Sequence, residues 1–244
     1  MQARNITLSA IRAGLSHHIP SAKIAATMVL YLIAALPLFF ALVAFLPWNQ
    51  AREPRTLALM ATFLKGALVF LPAYLAILLV RGIFGFSYEG LLLYLSLLQH
   101  DHLVPVLAGL GGFLLLQRKL SISRDEETIF LTVFSYLSGF FAMLNLTDAF
   151  SASGSWDAYA FFLLPSLRLA TVLLVSLLAR RFFRWEGTDG ALFCGAGAGL
   201  AILLSFSSFF FRINRAGLSI LCAVVPLLMA VSVFAMRFPR ALRD

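Results

Sequence analysis

Long apolar runs bounded by charged or turn-forming residues divide the chain. They cover residues 24–47, 57–80, 90–116, 129–146, 158–179, 190–211 and 216–236. A membrane-crossing helix needs about 20 apolar residues at about 1.5 Å of rise each. Most of these runs reach or approach that length. The pattern therefore predicts an all-α, polytopic helical membrane protein with seven to eight membrane-embedded segments. The uncertainty in number comes from one run. Residues 90–116 are interrupted by Gln99-His100-Asp101-His102. They read either as one tilted span or as a re-entrant hairpin with the tetrad at its tip, where irregular backbone is tolerated only if protein buries it.

Residues 1–22 carry no continuous apolar stretch. Leu8, Ile11, Leu15 and Ile19 share one helical stripe, while Arg4, Arg12 and His17 face elsewhere, and Pro20 closes the segment. This predicts an interfacial amphipathic helix, followed by a single transmembrane domain over 23–244. Two weak similarities suggest a two-fold internal repeat with halves 23–117 and 128–237. Arg81-x7-Glu89-Gly90 matches Arg181-x7-Asp189-Gly190, and Phe39-Phe40-Ala41 matches Phe140-Phe141-Ala142. In that repeat Gln99–His102 would correspond to Arg212–Arg215, so the repeat and the hairpin support one another.

Composition agrees with the membrane reading. Of 244 residues 61% are hydrophobic and 12% charged, with 24 Phe and a mean hydropathy of +0.93. Soluble domains carry roughly 25% charged residues, so a water-soluble enzyme and a disordered chain are both excluded. The net charge of +8 does not point to nucleic acid, because the cations flank apolar runs as they do on cytoplasmic loops. Arg118, Lys119 and Arg124, then Arg180, Arg181 and Arg184, then Arg237, Arg240 and Arg243 mark three cytoplasmic segments, whereas 147–157 carries no cation. This predicts a multi-pass protein of the bacterial inner-membrane type with its C-terminus in the cytoplasm. The hairpin arrangement would add Arg4, Arg12, Lys23 and Arg81 to the inner side, and it is preferred on that ground. Cys194 and Cys222 lie inside apolar runs and imply no disulfide framework.

Ionisable groups within hydrocarbon cost at least about 2.5–3.5 kcal/mol each, so they are the candidate functional residues. Lys65 and Arg168 both fall deep in apolar runs that also contain a proline (Pro72, Pro165). Two cations at one depth could flank an anionic solute or a lipid phosphate. For Arg168 the expected internal partner is Asp101, with Asp148 and Asp157 nearer the surface. His100, Asp101 and His102 form the second candidate, a substrate or proton path, because imidazole titrates near neutral pH. No metal is expected there: His-x-His does not place both rings on one helical face, and further ligands are lacking. Glu89 and Asp189 precede glycines that open apolar runs and read as helix caps. Gly195-x3-Gly199 reads as a close-packing helix face, not a phosphate loop.

Glu126-Glu127 does not match the paired glutamates of intramembrane CAAX-type proteases. Leu131 stands where that motif needs Arg, and no His follows His102. Three functional expectations remain. The first is a transporter or flippase-like protein for an anionic solute or lipid, using Lys65, Arg168, His100, Asp101 and His102. The second is a non-catalytic membrane subunit of a larger complex, with membrane lipid and protein partners. The third, an intramembrane enzyme, lacks an identifiable nucleophile. No cofactor is expected.

Overall fold

The computed structural model describes residues 54–117, 126–151, 157–182 and 189–237, together with Val29. The amphipathic segment 1–22 and nearly all of the run 24–47 lie outside these residues. All regular structure among the described residues is helical. Helix α1 spans Pro54–Phe84. Helix α2 runs without a break through Gly90–Leu97, a π-helical turn at Leu98–Leu103, and Val104–Gln117. Helix α3 is Glu126–Ser151. Helix α4 joins a π-helical turn at Tyr159–Leu163 to Leu164–Phe182. Helices α5 and α6 are Asp189–Arg212 and Ala216–Arg237. The first five contain spans long and apolar enough to cross a membrane, namely Leu57–Phe84, Gly90–Leu116, Thr128–Ser151, Tyr159–Ala179 and Ala191–Arg212. The chain is thus a multi-pass membrane protein by length and composition.

The continuous α2 corrects the hairpin expectation. Gln99–His102 sits inside one span, whereas the chain does turn back at Ile213-Asn214, where Asn214 takes a φ of 59°. The correspondence between the two sites, on which the repeat partly rested, is therefore absent. A helix can hold this polar tetrad at membrane depth because its backbone bonds stay internal and its polar side chains find protein partners.

Helix α3 is the centre of the bundle, with 83% of its span window buried, against 11% for α1. Phe130, Phe134, Tyr136, Leu137, Phe140 and Leu144 of α3 form the middle of the main apolar cluster. Helices α1 and α3 cross backbone to backbone. A β-carbon on Gly66 would overlap the carbonyl of Tyr136, and one on Gly139 would overlap the carbonyl of Phe63. These two glycines, one on each helix, make the closest contact. The face expected at Gly195 and Gly199 is open instead, while Gly197 between them meets Leu110 and Val106 of α2. Leu57, Leu64, Leu68, Leu71, Leu75 and Leu79 leave α1 with a wide exposed apolar face, as expected of a surface facing lipid.

Helices α1, α3 and α5 end, and α2, α4 and α6 begin, at the same end of the bundle, joined there by residues 85–89, 152–157 and 213–215. Arg81, Asp101, Asp148, Tyr159 and Arg212 lie toward that end.

Candidate functional site

Each π-helical turn is followed at the same spacing by a proline. Leu98–Leu103 precedes Pro105, and Tyr159–Leu163 precedes Pro165. In a π register residue i+5 donates to the carbonyl of residue i. Val104 N–H does this for Gln99, and Leu164 N–H for Tyr159. The next donors in the series would be residues 105 and 165, and proline has none to give. The carbonyl of His100 is taken instead by Nη2 of Arg81 at 3.1 Å. The widened turns also aim the tetrad and Tyr159 into the space between the helices.

The result is one connected polar network across five helices. Arg168, 2% exposed, donates from Nη2 to Asp148 Oδ2 at 2.5 Å and from Nη1 to Asn145 Oδ1 at 2.8 Å. Asn145 and Asp148 are three apart on α3 and share a face. The other oxygen of Asp148 meets Arg81 Nη1 at 3.4 Å, and Arg81 Nη2 lies 3.8 Å from Asp101 Oδ1. Tyr159 donates to Asp101 Oδ2 at 2.6 Å. Ser208 Oγ of α5 lies 2.7 Å from His102 Nε2. His100 turns the other way and donates from Nε2 to the carbonyl of Gly85 at 2.6 Å, its ring against Phe86. Gly85 holds a φ of 63°, which suits glycine.

A cavity of about 330 Å³ opens beside this network. Arg81, His100, Asp101, Asp148, Asp157, Tyr159 and Arg212 supply its polar wall, and Phe86, Ala160 and Leu164 its apolar wall. Arg212 lies over the Tyr159 ring, 4.3 Å from its centre, and reaches Asp157 at 3.3 Å. The wall thus presents guanidinium and carboxylate groups together. Within the network the arginines differ in how firmly they are held. Arg168 makes two short bonds to side chains, while Arg81 is 24% exposed at its side chain and, beyond its bond to the His100 carbonyl, meets its two carboxylates only at 3.4 and 3.8 Å. The Nε atoms of Arg81 and Arg168 have no hydrogen-bond partner among the described residues.

Of the residues expected from sequence, Asp101 and His100 line the cavity, and His102 and Arg168 sit behind it. Lys65 is not part of it. Its side chain is exposed on the leucine-rich face of α1, about 24 Å along the helix from Arg81. Equal depth in two apolar runs does not place two residues on facing surfaces, and Lys65 points away from the bundle. The cation that α1 brings to the network is Arg81. The partner of Arg168 is Asp148 rather than Asp101. Helical side chains lean toward the N-terminus, and the α4 N-terminus lies at the cavity end, so the long Arg168 side chain climbs to reach a shallower acid. Arg81, Tyr159, Arg212, Asn145 and Ser208 were not among the site residues expected from sequence, and Asp148 and Asp157 were named there only as shallower acids. A signal for two of the bends was present in Pro105 and Pro165.

Glu89 occupies the N-cap position of α2 but makes no side-chain capping bond. Ser208 and His102 have the spacing of a nucleophile and base, yet both are buried behind Tyr159 and neither lines the cavity. Among the described residues no group of three or more His, Cys, Asp or Glu is arranged to hold a metal. Comparison of the chain with protein-family profiles, with curated proteins and with solved structures finds no match.

Proposed function

We propose that the protein is an integral membrane transporter, or a flippase-like protein, that binds the anionic group of a small solute or lipid headgroup in the cavity lined by Arg81. The observation that supports this is the loose setting of Arg81. Its guanidinium lines the cavity; Nη2 donates to the His100 carbonyl at 3.1 Å, but its contacts to the carboxylates of Asp101 and Asp148 are as long as 3.8 and 3.4 Å. A carboxylate or phosphate offers two oxygens in the geometry that a guanidinium fork accepts. The carboxylates of Asp101, Asp148 and Asp157 on the same wall favour a ligand that carries a cationic group as well. The substrate class is therefore zwitterionic. Arg168 is the fixed part of the site, holding Asp148 in place.

The orientation follows from charge. Arg118, Lys119 and Arg124 lie between α2 and α3, and Arg180, Arg181 and Arg184 at the α4–α5 junction, all at the end away from the cavity. By the positive-inside rule that end is cytoplasmic. The C-terminus is then cytoplasmic, the cavity opens to the outside, and the membrane is of the bacterial inner type. The run 24–47 supplies a further span, for seven in all, preceded by the interfacial helix of 1–22.

The test is reconstitution of the full chain in phosphatidylethanolamine–phosphatidylglycerol liposomes. Uptake of labelled neutral amino acids and phosphocholine reads the solute source, and translocation of a headgroup-labelled phosphatidylethanolamine reads the lipid source. Movement of either class, lost in Arg81→Gln, is the expected result. Movement of inorganic phosphate alone would replace the zwitterionic reading with a purely anionic one.

A second reading, a non-catalytic subunit of a membrane complex, draws on the open Gly195-x3-Gly199 face. A β-carbon at either glycine meets nothing within 4 Å, and Leu192 and Leu203 beside them are exposed. Small residues of this kind let a partner helix approach closely. On this reading the chain alone moves none of the probes.

A further inference from the structure

The two π-helical turns free one carbonyl each, and the protein treats the two differently. Val104 N–H passes over His100 to donate to Gln99, and Leu164 N–H passes over Ala160 to donate to Tyr159. The residues whose N–H would serve His100 and Ala160 are Pro105 and Pro165, and proline has no N–H. The His100 carbonyl accepts from the guanidinium of Arg81 at 3.1 Å. The matching carbonyl of Ala160 has no hydrogen-bond donor among the described residues. Ala160 is buried and lines the cavity. A buried carbonyl without a donor is costly, and a ligand that donates to it removes that cost. A second acceptor stands on the same wall. Asp101 Oδ2 accepts from the Tyr159 hydroxyl, whereas Oδ1 lies 3.8 Å from Arg81, beyond hydrogen-bond range.

Carboxylates attract an ammonium of any kind by charge, but the other recognition elements differ. A quaternary ammonium has no N–H and is recognised on aromatic faces. The aromatic rings of this cavity are already engaged. Arg212 lies over the Tyr159 ring, 4.3 Å from its centre. The Phe86 ring packs against Tyr88 and His100, with centroids 5.0 and 5.7 Å away. A primary ammonium instead has three N–H donors to place, which suits a wall of acceptors. Charge is also balanced around the cavity. Arg81, Arg168 and Arg212 pair with Asp101, Asp148 and Asp157, three of each sign. A ligand with one charge of each sign leaves that balance undisturbed.

We propose that the cavity selects zwitterions whose cationic group is a primary ammonium, donating to the carbonyl of Ala160 and to Asp101 Oδ1, over those that carry a quaternary ammonium. The proposal rests on the zwitterionic reading above, in which Arg81 takes the anionic group. The two ends of the ligand replace the long Arg81–Asp101 contact with two charged hydrogen-bonded ones. The ammonium becomes the counter-charge of Asp101, and the guanidinium of Arg81 turns to the ligand's carboxylate or phosphate. Amino acids and the ethanolamine phosphate group share this chemistry, the second either as a free solute or as a lipid headgroup.

The experiment compares matched pairs on the full chain in nanodiscs of phosphatidylglycerol, a lipid without an ammonium. Calorimetric titration uses valine against glycine betaine, which are isomers with the same two charges, and phosphoethanolamine against phosphocholine. For the lipid source, liposomes carry phosphatidylethanolamine or phosphatidylcholine labelled on an acyl chain, and translocation is followed. In at least one pair the primary ammonium is expected to bind or move at least about tenfold better than its quaternary partner. Lys65→Leu should keep that preference. Pro165→Ala supplies an N–H that competes for the Ala160 carbonyl, and should weaken the primary member at least about tenfold without lowering the melting temperature. If Pro165→Ala does not fold, the wild-type comparison decides alone. Equal or better binding of the quaternary member, or an unchanged preference in folded Pro165→Ala, overturns the proposal. Equal binding of both members of a pair, lost in Arg81→Gln, would keep the zwitterionic site and remove the ammonium selectivity. Failure of every probe to bind or move would remove both.

Discussion

Arg168 and Asp148 form the tightest ion pair of the network, at 2.5 Å, with the arginine buried on α4 and the acid near the end of α3. Asp148 is shared with Arg81. Neither buried charge is left without an opposite charge, and the arrangement ties three helices at one end of the bundle. A deep arginine in this protein is thus first a structural element, and the guanidinium that lines the cavity is that of its shallower neighbour Arg81.

Removing the acid should expose that dependence. Asp148→Asn leaves Arg168 buried with a neutral partner. Breaking a buried pair from one side costs about 3–5 kcal/mol, so a marked fall in melting temperature in detergent is expected. Arg168→Leu combined with Asp148→Leu should be less damaging than Asp148→Asn alone. Equal stability of wild type and Asp148→Asn would show that the pair holds nothing together.

The crossing of α1 and α3 admits no side chain at Gly66 or Gly139. Alanine at either position must push two backbones apart, and overpacking of this kind costs about 1–3 kcal/mol or more. Alanine at Gly195 or Gly199 meets nothing and should leave the melting temperature of the isolated chain unchanged. Thermal unfolding of the four variants separates the two pairs, and the opposite ranking would contradict the crossing described.

Lys65→Leu should be neutral. The lysine is exposed on the lipid-facing side of α1 and remote from the cavity. Its replacement should alter neither stability nor any activity that Arg81→Gln abolishes. A loss of activity matching that of Arg81→Gln would restore Lys65 to the site.

Orientation can be read by cysteine labelling. With α2 a single span, residues 85–89 and 147–157 share one side. Cysteines at Tyr88, which is 81% exposed, and at Ser153 should both react with an impermeant thiol reagent added outside. One at Ala241 should react only after permeabilisation. Labelling of Tyr88→Cys and Ser153→Cys from opposite sides would be incompatible with the continuous α2.

The class of the protein was legible in the chain alone. Runs of some 20 apolar residues can satisfy their backbone in hydrocarbon only as helices, so composition and run length decide between solution and membrane. The same cost argument marked Arg168, His100, Asp101 and His102 as unusual, and the structure places all four in or behind one polar cavity. The cost of a charge in lipid is a property of the residue and its depth, and both can be read from a sequence.

What the chain could not disclose was direction. Lys65 and Arg168 look alike in sequence, yet one points to the lipid-facing surface and the other into the bundle. With apolar residues all around α1 and α4, no amphipathic period shows which face is inward. The partner of Arg168 depended on side-chain reach and helix polarity, and the partner of Tyr159 on two π-helical turns that rotate the residues after them. Whether a polar tetrad ends a helix or is absorbed by it depends on what surrounds it. Here Arg81, Tyr159 and Ser208 come from three other helices to satisfy it or its backbone. Those groups meet only when the helices pack, so tertiary structure alone decided the site.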